Sequence, residues 1–258
     1  MKIRAEQMET FEEAALRSFE NRMVAHLQNF APNHSKILTE DEMRVVIRHG
    51  MKQAECHQFT SERSLRIYIE LMLMLGSSFD TDPQLAWAAE LLNDETIKGE
   101  VERIDRLQQK AWDYVEQVLP DFGGAEGEAS AKSFIEQIRQ LRHTRNENLI
   151  QSEVPEFYQR VIAQLKQTLP RKCELLSEQG LRRLINRGMG LASSYNITTE
   201  RGYAFFVAAM FMLGSGFDKD PQLPWAERVL QDLSITDQNE RVDLLFAGAI
   251  DCLKRMRQ

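Results

Sequence analysis

The sequence contains two pairs of aspartates that could bind a metal ion. Within each pair, the second aspartate lies two positions after the first. They lie in Phe79-Asp-Thr-Asp-Pro83 and in Phe217-Asp-Lys-Asp-Pro221. Paired carboxylates in a loop can chelate calcium or hold the metal of a hydrolase. A calcium-binding loop also needs further oxygen ligands, a central glycine and a closing glutamate, whereas each pair here is followed by Pro-Gln-Leu. We therefore predict no metal site and no cofactor.

A structural role accounts for the same aspartates. An aspartate directly before a proline is typical of a helix N-terminus, so Asp82 and Asp220 are expected to cap the helices that follow. Asp80 and Asp218 are expected to bond nearby amides or an arginine. Arg63 and Arg201 are the candidate arginines, because they recur together with the loop.

Nucleophilic catalysis has little support in the sequence. Cys56-His57 is the single place where a thiol and an imidazole are neighbours, and adjacent residues of a helix project in different directions. The histidines show no HExxH or zinc spacing, and no glycine-rich phosphate loop or GxSxG elbow occurs. We therefore predict no catalytic residue and no enzyme activity.

The composition narrows the class of protein. Of 258 residues, 39 are acidic and 32 basic, which gives a net charge of -7 and argues against a dedicated DNA coat or a polybasic membrane binder. Three cysteines without CxxC spacing fit a reducing compartment. The N-terminus has no apolar signal-peptide core and no long apolar run follows, so a cytoplasmic location is expected.

The chain contains an internal repeat. Shifting the sequence by 138 positions aligns 19–115 with 157–253 without gaps and gives 37 identities in 97 positions. In 72–88 against 210–226, 13 of 17 positions are identical. Three glycines in 121–130 indicate a flexible linker. We predict repeat one in 1–120, the linker in 121–130, and a leading helix with repeat two in 131–258.

Every strong periodic signal in a repeat is helical. Thr39 to Glu42 has the form of a capping box, and Thr60-Ser61 and Thr198-Thr199 are N-cap signals before helices that are apolar almost all round. Gly76 and Gly214 are expected to end those helices. The prediction is an all-α protein of two tandem helical bundles with about five helices each.

The residues expected to build this scaffold are the ones that recur. They are Gly76, Phe79, Asp80, Asp82, Pro83 and Trp87 in repeat one, and Gly214, Phe217, Asp218, Asp220, Pro221 and Trp225 in repeat two. Each tryptophan is either a core residue or an anchor for a partner, and we favour the core. Two basic clusters, one at 139, 142 and 145 and the other at 182, 183 and 187, are interpreted as solvated or ion-paired faces.

The pattern Met-x-Met-Leu-Gly-Ser-x-Phe-Asp-x-Asp-Pro-Gln-Leu-x-Trp-Ala, with a Phe-x-x-Arg helix earlier in each repeat, resembles a known family. That family is a poorly characterised, all-helical group of bacterial proteins encoded beside type VI secretion effector genes. The resemblance covers nearly the whole chain, as a tandem version of a unit that relatives commonly carry once. It implies a non-enzymatic, cytoplasmic immunity protein that binds and neutralises a cognate effector toxin, such as a nuclease.

Two alternatives remain open. One is a chaperone or adaptor that delivers an effector for secretion, and the other, from the enzyme class, is a metal-dependent hydrolase using the paired aspartates. In the binding interpretations the partner is a protein, with no direct contact to nucleic acid or membrane. The binding surface is expected where the repeats differ, namely the acidic helix with Glu40, Asp41, Glu42 and Glu55, the linker, or the groove between the repeats.

Overall fold

Helices form all the regular secondary structure in the part of the chain that the structure describes. The computed structural model describes residues 5–119, 132, 135–136, 138–141 and 144–256, with side chains from residue 13 onward. Within these ranges strands are absent, and the one β-type contact is an isolated bridge between Asn148 and Thr199. The all-α prediction is confirmed. None of the described helices combines the length and apolarity that crossing a membrane requires.

The helices of the N-terminal half are α1 (Ala5–Phe30), α2 (Pro32–Ser35), α3 (Glu40–Cys56), α4 (Glu62–Leu75), α5 (Ala86–Leu92) and α6 (Glu100–Val118). Those of the C-terminal half are α7 (Val154–Thr168), α8 (Pro170–Ser194), α9 (Glu200–Leu213), α10 (Pro224–Gln231) and α11 (Gln238–Arg255). Short 3-10 helices occupy Pro83–Leu85, Gln151–Glu153 and Phe217–Lys219. In the predicted leading helix, residues 138–141 are helical, and the predicted linker 121–130 lies outside the described residues.

The predicted helix starts are confirmed. Glu42 donates its backbone N–H to Thr39 Oγ1 at 3.3 Å, and Thr39 N–H donates to Glu42 Oε2 at 2.9 Å, which completes the capping box of α3. Ser61 caps α4 and Thr199 caps α9, each by accepting a backbone N–H three residues further on. These local sequence signals therefore set where three of the helices begin.

Helix α8 contains a break that divides it into two helical segments. Ser177 has φ 61° and ψ 168°, a left-handed backbone conformation inside an otherwise continuous helix. Its Oγ accepts the N–H of Gly180 at 3.4 Å, so it acts as an N-cap for the second segment. Ser177 is the residue 138 positions after Thr39, the cap of α3.

The buried apolar side chains form two clusters, one mainly in each half. The first runs from Phe19 on α1 to Ala111 on α6, and the second from Val118 to Cys252 on α11. Helices α4 and α9 lie at the centres of these clusters and are buried along most of their length, as their apolar sequences predict. Their C-terminal ends lead directly to the repeated aspartate loops.

Candidate functional site

The repeated glycines bring the two halves together. Gly76 has φ 97° and Gly214 φ 98°, with ψ near 150° in both, a conformation that side chains strongly disfavour. They end α4 and α9 as predicted. They also face each other, since a Cβ on Gly76 would lie 3.0 Å from the carbonyl oxygen of Leu213 and 3.8 Å from the Cα of Gly214. Glycine is thus required here both by the backbone angle and by the close approach of the other half.

Next to this contact, each repeat donates hydrogen bonds to the aspartate of the other. Ser77 donates from its backbone N–H to Asp220 Oδ2 at 2.9 Å and from its hydroxyl to Asp220 Oδ1 at 2.5 Å. In the reciprocal arrangement, Ser215 donates to Asp82 through the same two groups, at 2.7 and 2.6 Å. We call Ser77, Asp82, Ser215 and Asp220 the Ser–Asp cluster. All four side chains are buried, each with about 5% or less of its surface exposed.

Two glutamines extend the Ser–Asp cluster. Gln84 donates from Nε2 to the carbonyl oxygen of Met210 at 2.7 Å, and Gln222 donates to that of Met72 at 2.9 Å. These carbonyls lie in the last turns of α9 and α4, where helix carbonyls lack intrahelical partners or share them. The backbone N–H of each glutamine also donates to its own repeat's aspartate, at 2.9 Å in both halves.

The predicted capping is confirmed for Asp82, which is the N-cap of the 3-10 helix Pro83–Leu85. Asp220 accepts the equivalent backbone N–H, that of Gln222, but the N-cap position of α10 is Leu223, so Asp220 does not cap that helix. Each carboxylate accepts a backbone N–H from its own loop and two further hydrogen bonds from the opposite half. The sequence did contain a signal for these contacts between the halves. A serine, an aspartate and a glutamine recur unchanged at equivalent positions, although the two repeats differ at most other positions.

The first aspartate of each pair points to a different set of groups. Asp80 Oδ2 accepts the Tyr68 hydroxyl at 2.9 Å and lies 3.0 Å from His57 Nε2. Burial acts to raise the pKa of Asp80, but the hydrogen bonds from His57 and Tyr68 outweigh it and hold that pKa below its usual value. In the other half, Asp218 accepts the hydroxyl of Tyr195 at 2.9 Å.

The prediction that Arg63 and Arg201 pair with Asp80 and Asp218 was wrong. Arg63 instead pairs with Asp105 at 2.7 Å, and Arg201 pairs with Asp243 at 3.0 Å. Both arginines are near the N-terminal ends of α4 and α9, from which they reach α6 and α11. The aspartate loops follow the opposite, C-terminal ends of α4 and α9, so a helix length separates each arginine from its expected partner.

The donors needed for metal chemistry do not come together. Within the described ranges, no group of three His, Cys, Asp or Glu side chains is placed to hold a metal ion. In each pair, one carboxylate bonds across to the other half and the other bonds inside its own half. Cys56 is exposed, while Cys173 and Cys252 are buried.

A recess of about 520 Å³ lies beside the Ser–Asp cluster, between α6 and α8. We call it the Trp87 groove. Trp87 and Tyr114 form an aromatic wall with ring centroids 5.9 Å apart, and Leu176 and Leu184 contribute apolar surface from α8. Trp87 is half-buried, and its Nε1 has no hydrogen-bond partner. The volume of the Trp87 groove falls in the range of roughly 300 to 1,000 Å³ that is typical of ligand sites.

Three basic side chains line the Trp87 groove: Lys110 on α6, and Arg183 and Arg187 on α8. All three residues are exposed, and none takes part in any ion pair or side-chain hydrogen bond found among the described residues. Arg182, next to Arg183, differs because it pairs with Glu178 at 2.9 Å. The cluster thus agrees with its interpretation as a solvated or ion-paired face, since Arg182 is ion-paired and Arg183 and Arg187 are exposed. Arg183 and Arg187 in addition line a recess.

The four acidic residues predicted to bind a partner lie outside the Trp87 groove. Glu40 pairs with Arg44 at 2.6 Å, and Glu42 combines its capping role with an ion pair to Arg228 at 3.1 Å. Asp41 and Glu55 are exposed. Partner binding by this face stays a prediction, and two of its four carboxylates already have structural partners.

The groove between the repeats was one of the surfaces that the sequence suggested, but its residues could not be named from sequence alone.

Comparison of the chain with protein-family models, with curated proteins and with solved structures finds no match in any of the three. The geometry of the Trp87 groove is therefore the main structural evidence bearing on function.

Proposed function

We propose that this protein is a non-enzymatic protein-binding module made of two copies of one helical bundle, with the Trp87 groove as its binding site. The duplicated scaffold is supported by the paired 14-residue helices α4 and α9, their matching glycine ends and the reciprocal Ser–Asp cluster. The observation that carries the binding role is a set of three cations, none ion-paired to another described residue, beside an aromatic wall. Charged groups without intramolecular partners next to apolar surface are typical of sites completed by another molecule.

The biological role we propose is immunity. Because the repeat motif resembles proteins encoded beside type VI secretion effectors, the partner would be a cognate effector toxin, neutralised in the cytoplasm of the producing cell. A scaffold held rigid by the Ser–Asp cluster suits this role, since a preorganised surface loses little conformational entropy on binding.

The test is co-expression with the effector encoded beside this protein. We expect cells expressing the effector to grow only when this protein is present, and the two purified proteins to co-elute in gel filtration. Equal killing with and without this protein, together with no complex, would refute the immunity role.

An adaptor role is the second candidate, because a groove that holds a segment of a partner would also hold a cargo for delivery. Deletion of the gene separates the two roles. Loss of an immunity protein kills the producing cell, whereas loss of an adaptor leaves it healthy and abolishes secretion of the effector. The hydrolase alternative predicts heat of metal binding in calorimetry, and loss of activity when Asp80 and Asp218 are changed to Asn.

A further inference from the structure

We infer that the Trp87 groove binds an acidic segment of a partner protein that carries a large apolar side chain. This inference rests on the proposed function and specifies the chemistry of the partner. The apolar side chain would pack on Trp87 and Tyr114, and the carboxylates would pair with Lys110, Arg183 and Arg187. The chain as a whole carries a charge of -7, so this cluster of cations is opposite in sign to the protein's net charge.

The shape of the groove favours a peptide segment. Its walls are faces of two helices, with Lys110, Tyr114 and Gln117 on α6 opposite Gly180, Arg183 and Arg187 on α8. Residues at these spacings follow one stripe of each helix. A helical or extended segment, held by anchors at regular intervals, matches two such stripes.

A second observation concerns the polar groups in the wall of the groove. Gln84 is 8% exposed, and its Oε1 accepts no hydrogen bond, although its Nε2 donates to Met210. The Trp87 Nε1 also lacks a partner. Unsatisfied buried polar groups are uncommon in native structures, and here two of them lie at one recess.

The experiment measures binding of a fluorescein-labelled peptide of about twelve residues, composed of Glu, Asp, Phe and Leu, to the full chain. Two comparison peptides replace the acids by Gln and Asn, or Phe and Leu by Ala. We expect saturable binding of the first peptide, weakened by added salt, and at least about tenfold weaker binding of both comparison peptides.

The variants locate the binding. Arg183→Glu with Arg187→Glu is expected to weaken binding by about tenfold or more, and Lys110→Glu by a smaller factor. Arg182→Glu is the matched control, because Arg182 lies on the same helix but pairs with Glu178. It should leave binding within about twofold of the wild type. These positions are exposed, and circular dichroism with thermal unfolding checks that each variant is folded.

Three results would overturn the inference. They are absence of saturable binding up to about 1 mM peptide, equal binding by the Arg183/Arg187 variant, and a loss of binding in Arg182→Glu as large as in that variant. Tight binding of an oligothymidylate that depends on the same arginines, without peptide binding, would assign the groove to nucleic acid instead.

The effector complex separates this inference from the proposed function. If the effector binds the wild type and the Arg183/Arg187 variant equally, the protein-binding function stands and the groove assignment fails. If the effector does not bind the wild type while the acidic peptide binds in the groove, the groove assignment stands and the effector is the wrong partner.

Discussion

Trp87 and Trp225 occupy equivalent positions in the two halves, but the residues around them differ. We call the region around Trp225, α11 and α3 the Trp225 end, because it corresponds to the Trp87 groove at the offset of 138 positions. The groove residues Lys110, Tyr114, Gly180, Arg183 and Arg187 correspond there to Gly248, Cys252, Glu42, Val45 and His49. Three cationic positions in the groove are thus a glycine, a valine and a histidine at the Trp225 end.

These differences between equivalent positions change which side chains occupy the space beside each tryptophan. At the Trp225 end, the ion pair between Glu42 and Arg228 connects α3 to α10 at 3.1 Å. The position of Glu42 corresponds to Gly180 in the groove, which has no side chain to make such a connection. Gly248 lets the ring of Trp225 lie against α11, since a Cβ there would be 2.6 Å from Trp225 Cε3. The ring of Trp225 thus takes up the space at Gly248, whereas Lys110, at the equivalent position, lines a recess together with Arg183 and Arg187.

The largest effect on stability is expected from removing an aspartate of the Ser–Asp cluster, which lies between the two ends. In Asp82→Ala or Asp220→Ala, buried donors lose their acceptor, two of them from the opposite half. We expect each change to lower the free energy of unfolding by about 3 kcal/mol, measured by urea unfolding. Asp237→Ala is the control, since Asp237 caps α11 without a contact to the other half, and should lose about 1 kcal/mol. Equal losses in all three would mean that the Ser–Asp cluster adds nothing beyond capping.

The next effect tests the packing difference between the two ends. Gly248→Ala places a methyl group against the ring of Trp225, so the ring or α11 must shift. We expect it to destabilise the protein by about 2 kcal/mol, a typical cost of overpacking. Lys110→Ala at the corresponding position should change stability by less than about 0.5 kcal/mol, because Lys110 is exposed. Thermal unfolding of both variants measures the contrast, and a tolerated Gly248→Ala would show that the Trp225 end is loosely packed.

Features that depend on neighbouring residues were predictable from the sequence. The capping box at Thr39, the glycine ends at Gly76 and Gly214, and the buried character of α4 and α9 are each written within about fifteen residues, because capping and helical periodicity are local effects.

Features that depend on how the halves are placed were not predictable in the same way. The partners of Asp82 and Asp220 are more than 130 residues away in the chain, so no local pattern could name them. The walls of the Trp87 groove come from α6 and α8, which are far apart in the chain. The basic cluster was visible in the sequence, but whether Arg183 had an acidic partner was a question of tertiary structure.

A smaller, pH-dependent effect distinguishes how the halves cap α4 and α9. Glu100 accepts the backbone N–H groups of Thr60 and Ser61 at 3.0 and 2.9 Å, whereas the corresponding Gln238 accepts that of Thr198 at 2.9 Å. Burial acts to raise the pKa of Glu100, but these hydrogen bonds outweigh it and lower the pKa to about 2, from an ordinary value of 4.5. The stabilisation by Glu100 is therefore fully present above about pH 4.5 and is lost as the pH falls toward 2.

Glu100→Gln tests this assignment. At pH 7 we expect a loss of about 1 kcal/mol, less than the full pKa shift would give, because solvent screens a partly exposed carboxylate. Since glutamine does not titrate, the difference between wild type and variant should shrink between pH 5 and pH 2.5 in urea unfolding. A difference that stays constant with pH would assign the contribution of Glu100 to packing.

The smallest effect is expected from Arg228→Ala, which removes the ion pair with Glu42 at the Trp225 end. The Arg228 side chain is 70% exposed, so the loss should be below about 0.5 kcal/mol and should disappear in high salt. Glu42 uses Oε1 for Arg228 and Oε2 for the capping box, so this variant leaves the cap of α3 intact, whereas Glu42→Ala should lose about 1 kcal/mol. Urea unfolding at low and high salt measures both variants. A loss in Arg228→Ala as large as that in Glu42→Ala would mean that the ion pair, rather than the cap of α3, accounts for the contribution of Glu42 to stability.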